Sequence, residues 1–155
     1  MHIVFFWMHG VICDHAVPKG TTINGDYYLH VLRTHVRPAI RKKYPELLHK
    51  GVILLQDNAS PHRKKEVLET LEQWGWEILA HPAYSPDLSP CDFFLFPKVK
   101  ESMRGQHFND EEGINLAFKS ALNSVAKCGL NDGIEGLVPR WQKCVDSHGH
   151  YFEGL

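Results

Sequence analysis

No Asp or Glu occurs among the first thirteen residues, although the 155-residue chain holds 18 acids. That gap falls on His2-Ile-Val-Phe-Phe-Trp7, a short run rich in Val, Ile and Phe that reads as a strand. Other features are also scarce. The four cysteines (Cys13, Cys91, Cys128, Cys144) form no CxxC pair and are widely spread. This speaks against a zinc or disulfide framework and suits reduced thiols. None of the eleven histidines pairs at i, i+4 with a supporting acid, so a helical zinc site is excluded as well; His148 and His150 read as solvated. No apolar run approaches the roughly 20 residues needed to cross a bilayer, so no membrane partner is expected. The first residues lack the charged-then-apolar profile of a signal peptide. There is no internal repeat and no low-complexity stretch. Net charge is only −1, yet residues 1–50 hold seven Lys/Arg against three acids, leaving a balance of +4 there and −5 beyond. That asymmetry permits a basic face on a near-neutral protein.

The patterning that is present fits one mixed α/β domain over residues 1–155. Residues 2–7 and 10–17 read as a hairpin, and Thr21–Ile23 as a brief third strand after the Pro18-Lys-Gly20 turn. From Asp26 a helical stripe of Leu29, Leu32, Val36 and Ile40 begins, with a kink or restart expected at Pro38. Arg33, Arg37 and Arg41 recur every fourth residue and form a basic stripe along that helix. Gly51–Gln56 is a continuous apolar run of strand length. Pro61 opens a helix whose Val67, Leu68, Leu71 and Trp74 point inward, ending at Gly75, and Trp76–Leu79 is another strand. Residues 80–91 read as a long ordered loop, followed by a helix from about Asp92 to Gly105, kinked at Pro97. Asn109 with Glu112 makes a capping box for a helix with Ile114, Ala117, Phe118, Ala121, Leu122 and Val125 inward. A last short helix spans about Leu137–Val145. Three antiparallel strands, then strand-helix-strand, then helices on both faces is the layout of a ribonuclease H-like mixed sheet. An open α/β enzyme with another strand order has similar elements.

Two acids stand out on this layout. Asp57 ends the apolar run Gly51-Val-Ile-Leu-Leu-Gln-Asp57, and Asp92 begins the later helix, with 34 residues between them. Carboxylates presented from a strand end and a helix start are the hard oxygen donors that a two-metal phosphoryl-transfer site requires. The surrounding words are more specific than the spacing. Gln56-Asp-Asn-Ala-Ser-Pro-His62, Gly75-Trp-Glu-Ile-Leu-Ala-His-Pro82, Tyr84-Ser-Pro-Asp-Leu-Ser-Pro90 and Asp92-Phe-Phe-Leu-Phe96 resemble the mariner family of DNA transposases. So do Lys19-Gly-Thr-Thr-Ile-Asn24, Met103-Arg-Gly105, Arg140-Trp-Gln-Lys-Cys144 and Gly149-His-Tyr-Phe152. The resemblance covers essentially the whole chain. It implies a ribonuclease H-like DDE/D catalytic domain with three aspartates, the last two matching Asp57 and Asp92. It also implies Mg²⁺ (or Mn²⁺) as cofactor, DNA cleavage and strand transfer in transposition and integration, and a nuclear location. Asp87 reads as a helix-capping or loop-ordering residue, and Tyr84 and His81 as ordering the loop. His62, Arg63, Lys64 and Lys65, with Arg33, Arg37 and Arg41, are the candidates for DNA contact, plain surface charge being the alternative.

The chain departs from the family pattern in two respects. The family's first aspartate belongs in the first strand shortly before Gly10, where this sequence has Trp7 and Met8. Asp14 is the nearest acid but lies on the next strand, and using it would need a register shift that reverses side-chain faces. Weakened metal binding and impaired or absent cleavage are therefore expected. The family's N-terminal helix-turn-helix region and dimerisation linker are also absent, so only non-specific DNA contacts are expected, and a homodimer is the assembly the family admits. The runner-up reading is a non-catalytic nucleic-acid or protein-binding module. A third is a ribonuclease H-type nuclease whose site Asp14 would complete. Nothing resembles a SET methyltransferase domain, which some mariner domains carry.

Overall fold

The computed structural model describes residues 1–149; His150 and the rest of the Gly149-His-Tyr-Phe152 word lie outside the described residues. The chain forms two compact units. One comprises Met1–Phe5 and Ile12–Tyr84, the other Phe6–Val11 and the chain from Ser85 onward.

The expected hairpin is present as β1 (His2–Trp7) and β2 (Gly10–Ala16), paired with each other across the two-residue turn Met8-His9. The third strand is not. Thr21 donates its N–H to Pro18 O at 3.1 Å, and Gly20 takes a φ of 78°. The segment 21–24 thus leaves a tight turn and runs directly into a helix cap, with no length left for a strand ladder. Two two-stranded sheets therefore replace the expected three antiparallel strands followed by two more.

In the first unit, Asn24 caps α1 (Gly25–Val31), its side chain accepting from Tyr27 N–H at 2.9 Å. The helix does not break at Pro38. It widens into a π turn, Leu32–Val36, in which Arg37 N–H reaches Leu32 O, and continues as α2 (Arg37–Lys43). A proline ring clashes with the carbonyl four residues earlier, and a wider turn clears that clash. Leu29, Val31, Leu32, Val36 and Ile40 are all buried. Each such side chain contributes about 1.5–3 kcal/mol on leaving water. After α3 (Pro45–Lys50), β3 (Ile53–Leu55) pairs in parallel with β4 (Glu77–Leu79), Leu54 opposite Ile78. Between them lie a 3₁₀ turn, Ser60–Arg63, and α4 (Lys65–Gln73). Val67 and Leu71 of α4 are fully buried, but Leu68 is exposed, so its inward stripe is narrower than expected.

In the second unit, the expected loop before Asp92 contains a 3₁₀ turn, Pro86–Leu88. A π turn, Cys91–Leu95, follows and leads into α5 (Phe96–Met103), again immediately ahead of a proline, Pro97. The cap of α6 (Glu111–Cys128) is Asp110 rather than Asn109, its carboxylate accepting from Gly113 N–H at 2.7 Å. Of the residues expected inward, Ala121, Leu122 and Val125 are buried, Ala117 and Phe118 are half-buried and Ile114 is exposed. Two short helices, α7 (Asn131–Glu135) and α8 (Leu137–Asp146), complete this unit. Among the described residues no helix is long and apolar enough to cross a membrane.

Candidate catalytic site

Asp57 stands just beyond β3, where the chain leaves the sheet through Gln56. Its Oδ1 accepts the Ala59 N–H at 3.0 Å, closing a local turn, and meets His62 Nδ1 at 2.6 Å. Ser60 and Pro61 open the 3₁₀ turn that holds His62. The His62 ring packs on Tyr28 with centroids 4.3 Å apart, and the Tyr28 hydroxyl donates to Gln56 Oε1 at 2.7 Å. Four side chains, Gln56, Asp57, His62 and the buried Tyr28, therefore form one connected group. Asn58 Nδ2 donates to His81 O at 2.5 Å and ties the ends of β3 and β4 together. The Asp57 carboxylate nevertheless remains exposed over more than half of its surface.

Sequence reasoning missed Tyr28. It belongs to the buried side of α1, and no local pattern links it to a residue 28 positions later. The only signal was a tyrosine on an otherwise aliphatic face, since a buried hydroxyl needs a partner.

The candidate DNA-contact residues fall into different situations. Arg63 and Lys64 line an open polar concavity with Gly25, Asn58 and Ser60. Lys64 pairs with Asp26 at 2.5 Å, and this hydrogen bond raises its ammonium pKa above the ordinary lysine value. Gly25 is needed at that spot, because a Cβ there would sit 2.4 Å from the Lys64 side chain. Lys65 is exposed and forms an i, i+4 pair with Glu69 at 3.6 Å. The expected Arg stripe is largely turned to internal use. Arg33 donates to Thr70 Oγ1 at 3.0 Å, and the Arg37 guanidinium lies 4.8 Å above the Trp74 ring. Arg41 is exposed.

Asp92 is the second residue of the Cys91–Leu95 π turn and is exposed. Its N–H and that of Phe93 both donate to Ser89 O at 2.9 Å, which anchors the start of the turn. Asp87 does not cap this helix. It is buried, with its Oδ1 lacking a hydrogen-bond partner, and its main-chain carbonyl accepts from Arg140 at 3.1 Å. Tyr84 is fully exposed, on a backbone with φ 53°.

Trp7 closes β1, its ring edge-on to His9 at 4.6 Å. An indole offers no metal-ligating oxygen. Asp14, on β2, is engaged with His2 Nδ1 at 2.7 Å. Among the described residues no three His, Cys, Asp or Glu side chains converge to hold a metal ion. As single ligands, the exposed oxygens of Asp57 and Asp92 fit a hard divalent cation. The first strand, where the family pattern places a further carboxylate, holds no acid.

Residues 5–115 match the family described as DDE superfamily endonuclease. The chain belongs to the DDE superfamily of endonucleases. Within it, the mariner-type transposase catalytic domain is the form it takes. The chain is 35% identical over 155 residues to the Mariner Mos1 transposase of Drosophila mauritiana, covering 99% of this chain and 45% of that protein. It is also 35% identical over 144 residues to the histone-lysine N-methyltransferase SETMAR of Homo sapiens, covering 93% of this chain and 21% of that protein. The chain thus spans less than half the length of both relatives. The crystal structure of the catalytic domain of Mos1 mariner transposase superposes with a TM-score of 0.88 at 35% identity, covering 97% of this chain and 74% of that one. The Mos1 mariner paired end complex with Mn gives the same TM-score at 36% identity, over 97% and 44%. The expected ribonuclease H-like class therefore holds at the level of the DDE fold, with the sheet reduced as described above.

Proposed function

We propose that this DDE-superfamily domain derives from a transposase that cleaved and joined DNA, and that its own chemistry is impaired. The observation that carries the reading is the first strand, His2–Trp7, which holds no acid where the family places its leading aspartate. Asp57 and Asp92 are assigned as the remaining carboxylate ligands. A bound Mg²⁺ or Mn²⁺ would supply activation of the attacking oxygen and stabilisation of the leaving one. The chain's own contribution is narrower. Asp57 and Asp92 offer oxygen donors, His62 fixes the orientation of Asp57, and Arg63 presents positive charge in the concavity lined by the neighbouring Asn58, where Lys64 is already paired with Asp26. With one anionic ligand missing, a pair of dications meets less negative charge, so affinity falls. DNA is the assigned partner, through non-specific phosphate contacts and therefore with steep salt dependence. A nuclear location and a homodimer go with that substrate.

The test is metal-dependent nicking of transposon-end DNA in Mg²⁺ and in Mn²⁺, with the parent chain and with Trp7→Asp. We expect little or no nicking by the parent and a gain of at least tenfold in the variant. An Asp inserted after Trp7 covers the alternative alignment. Robust cleavage by the parent would overturn the impairment. If the parent cleaves and Asp14→Asn abolishes it, the nuclease reading stands instead, although Asp14 would first have to leave His2. The binding-module reading gains support if DNA binding is salt-dependent while neither repaired variant cleaves.

A further inference from the structure

The loop after β4 presents an aromatic ring that the fold does not use. The sequence suggests a loop-ordering role for Tyr84, but a ring that is 101% exposed orders nothing around it. Its backbone is left-handed, at φ 53°, a conformation that residues with a Cβ rarely adopt. The other such residue among those described, His148 at φ 56°, follows α8 and closes its C-terminal reversal, with Gly149 N–H on Cys144 O at 2.8 Å. Tyr84 instead lies between the end of β4 at Leu79 and the turn that begins at Pro86. Backbone outliers of this kind cluster where ligands are clamped. We infer that Tyr84 is the stacking platform of a single-strand DNA site, in which Arg63 holds a phosphate. The inference rests on the reading that DNA is the partner, and narrows it to a strand with unpaired bases.

One side chain connects this ring to the charged surface. Asn58 lines the open concavity with Gly25, Ser60, Arg63 and Lys64, and it also donates to His81 O at 2.5 Å. Tyr84 follows His81 by three residues, and three residues of chain span at most about 11 Å. That is roughly the rise of three stacked nucleotides, at about 3.4 Å each. The concavity and Tyr84 belong to the same compact unit. Within the concavity the two cations differ. Lys64 is paired with Asp26, so its charge is largely offset. The Arg63 side chain is exposed and has no hydrogen-bond or ion-pair partner among the described residues. Together with the exposed hydroxyl of Ser60 it offers a phosphate a charged fork and a neutral donor. Asp57, adjacent to Asn58, opposes an anion, but its Oδ1 is met by His62 Nδ1 at 2.6 Å. A phosphate site beside an exposed ring suits any unpaired base, because every base has a π face. In a duplex those faces are covered by the neighbouring pairs.

The experiment is fluorescence anisotropy of a labelled oligothymidylate, and of a duplex of equal length, with the full chain in EDTA so that no metal takes part. The parent should bind both. Tyr84→Ala should weaken single-strand binding by about 5-fold or more, the low end for loss of a stacking aromatic, and leave duplex binding as in the parent. Tyr84→Phe keeps the ring and should keep the affinity. Tyr84→Gly accepts a φ of 53° without strain. It should lose the same affinity as Tyr84→Ala with no fall in melting temperature, which separates stacking from loss of fold. Arg63→Gln reads the other half of the site. Its plot of log affinity against log salt should be shallower by about 0.7, the contribution of one phosphate on a single strand, a change that Tyr84→Ala does not make. Single-strand affinity unchanged in Tyr84→Ala, or lost equally on the duplex, would overturn the stacking role while leaving DNA the partner. An unchanged salt slope in Arg63→Gln would overturn the phosphate assignment. A parent that binds neither substrate would overturn the DNA reading itself, and this inference with it.

Discussion

At the scale of single residues, the group around Asp57 shows how a polar cluster persists at the edge of a core. The Asp57–His62 pair is too exposed to contribute much stability, since such pairs are worth about 0–1 kcal/mol. Tyr28 differs because it is 2% exposed and its hydroxyl meets Gln56 at 2.7 Å. Tyr28→Phe keeps the ring against His62 and removes only that hydrogen bond. We expect a loss of about 1 kcal/mol, read as a lower urea midpoint with unchanged slope. An unchanged midpoint would show that the Gln56 carbonyl is satisfied equally well by water. The imidazole of His62 was legible from the Asp57-Asn-Ala-Ser-Pro-His62 word, but its support was not. Tyr28 comes from another helix, and only three-dimensional packing puts it there.

Among the elements, the two π turns have a common cause. Leu32–Val36 and Cys91–Leu95 each end two residues before a proline, Pro38 and Pro97, so the sequence announced a disturbance at both places. Helical periodicity alone could not say whether the chain would kink or widen, because both clear the proline ring. The choice is made by packing, as Leu32, Val36 and Leu95 are buried and hold the helix on course. The π turn that carries Asp92 also depends on α7. Gly133→Ala would push a methyl into the Phe94 ring, and overpacking of this kind costs about 1–3 kcal/mol. Thermal unfolding should report a lowered midpoint, whereas Gly105→Ala tests a different cause, strain at a φ of 77° with nothing within 4 Å. Should Gly133→Ala unfold at the parent temperature, Phe94 is free to move away and the turn is less confined than its contacts indicate. The strand expected at Thr21–Ile23 failed for a local reason: turn bonding on one side and the Asn24 cap on the other consumed the residues that a ladder would need.

For the molecule as a whole, the family words carried most of the fold, since they fix the order of elements around Asp57 and Asp92 more firmly than periodicity does. What they could not convey is which charges are already committed. Arg33 and Arg37 look like a DNA-facing stripe in sequence, yet one bonds Thr70 and the other covers Trp74. A histidine cluster was equally hidden. His15 stacks at 4.5 Å on His35, bonds the Tyr27 hydroxyl at 2.7 Å, and has His30 nearby. Burial, then His35 and His30, push its pKa below the ordinary histidine value, with Asp14 opposing. The folded protein therefore takes up this proton less readily than the unfolded chain. Stability from this cluster is present above the unfolded value of about 6.5 and is lost as pH falls through it toward the lowered folded value. Melting temperature should decline from pH 7.5 to 5.5, and His35→Gln should flatten that decline. An identical slope in the variant would locate the pH dependence elsewhere.

The contact between Arg140 and the Asp92 turn has a genetic consequence. Both acids precede residue 93, so a chain interrupted anywhere between Gly105 and Arg140 would still appear, by inspection, to retain them. Such a chain would nonetheless lack the Arg140 guanidinium, which lies over the Phe93 ring at 3.9 Å. A change well downstream of both acids could thus disturb the turn that carries Asp92, and a survey that scores only the two aspartates would count it as no worse than the parent.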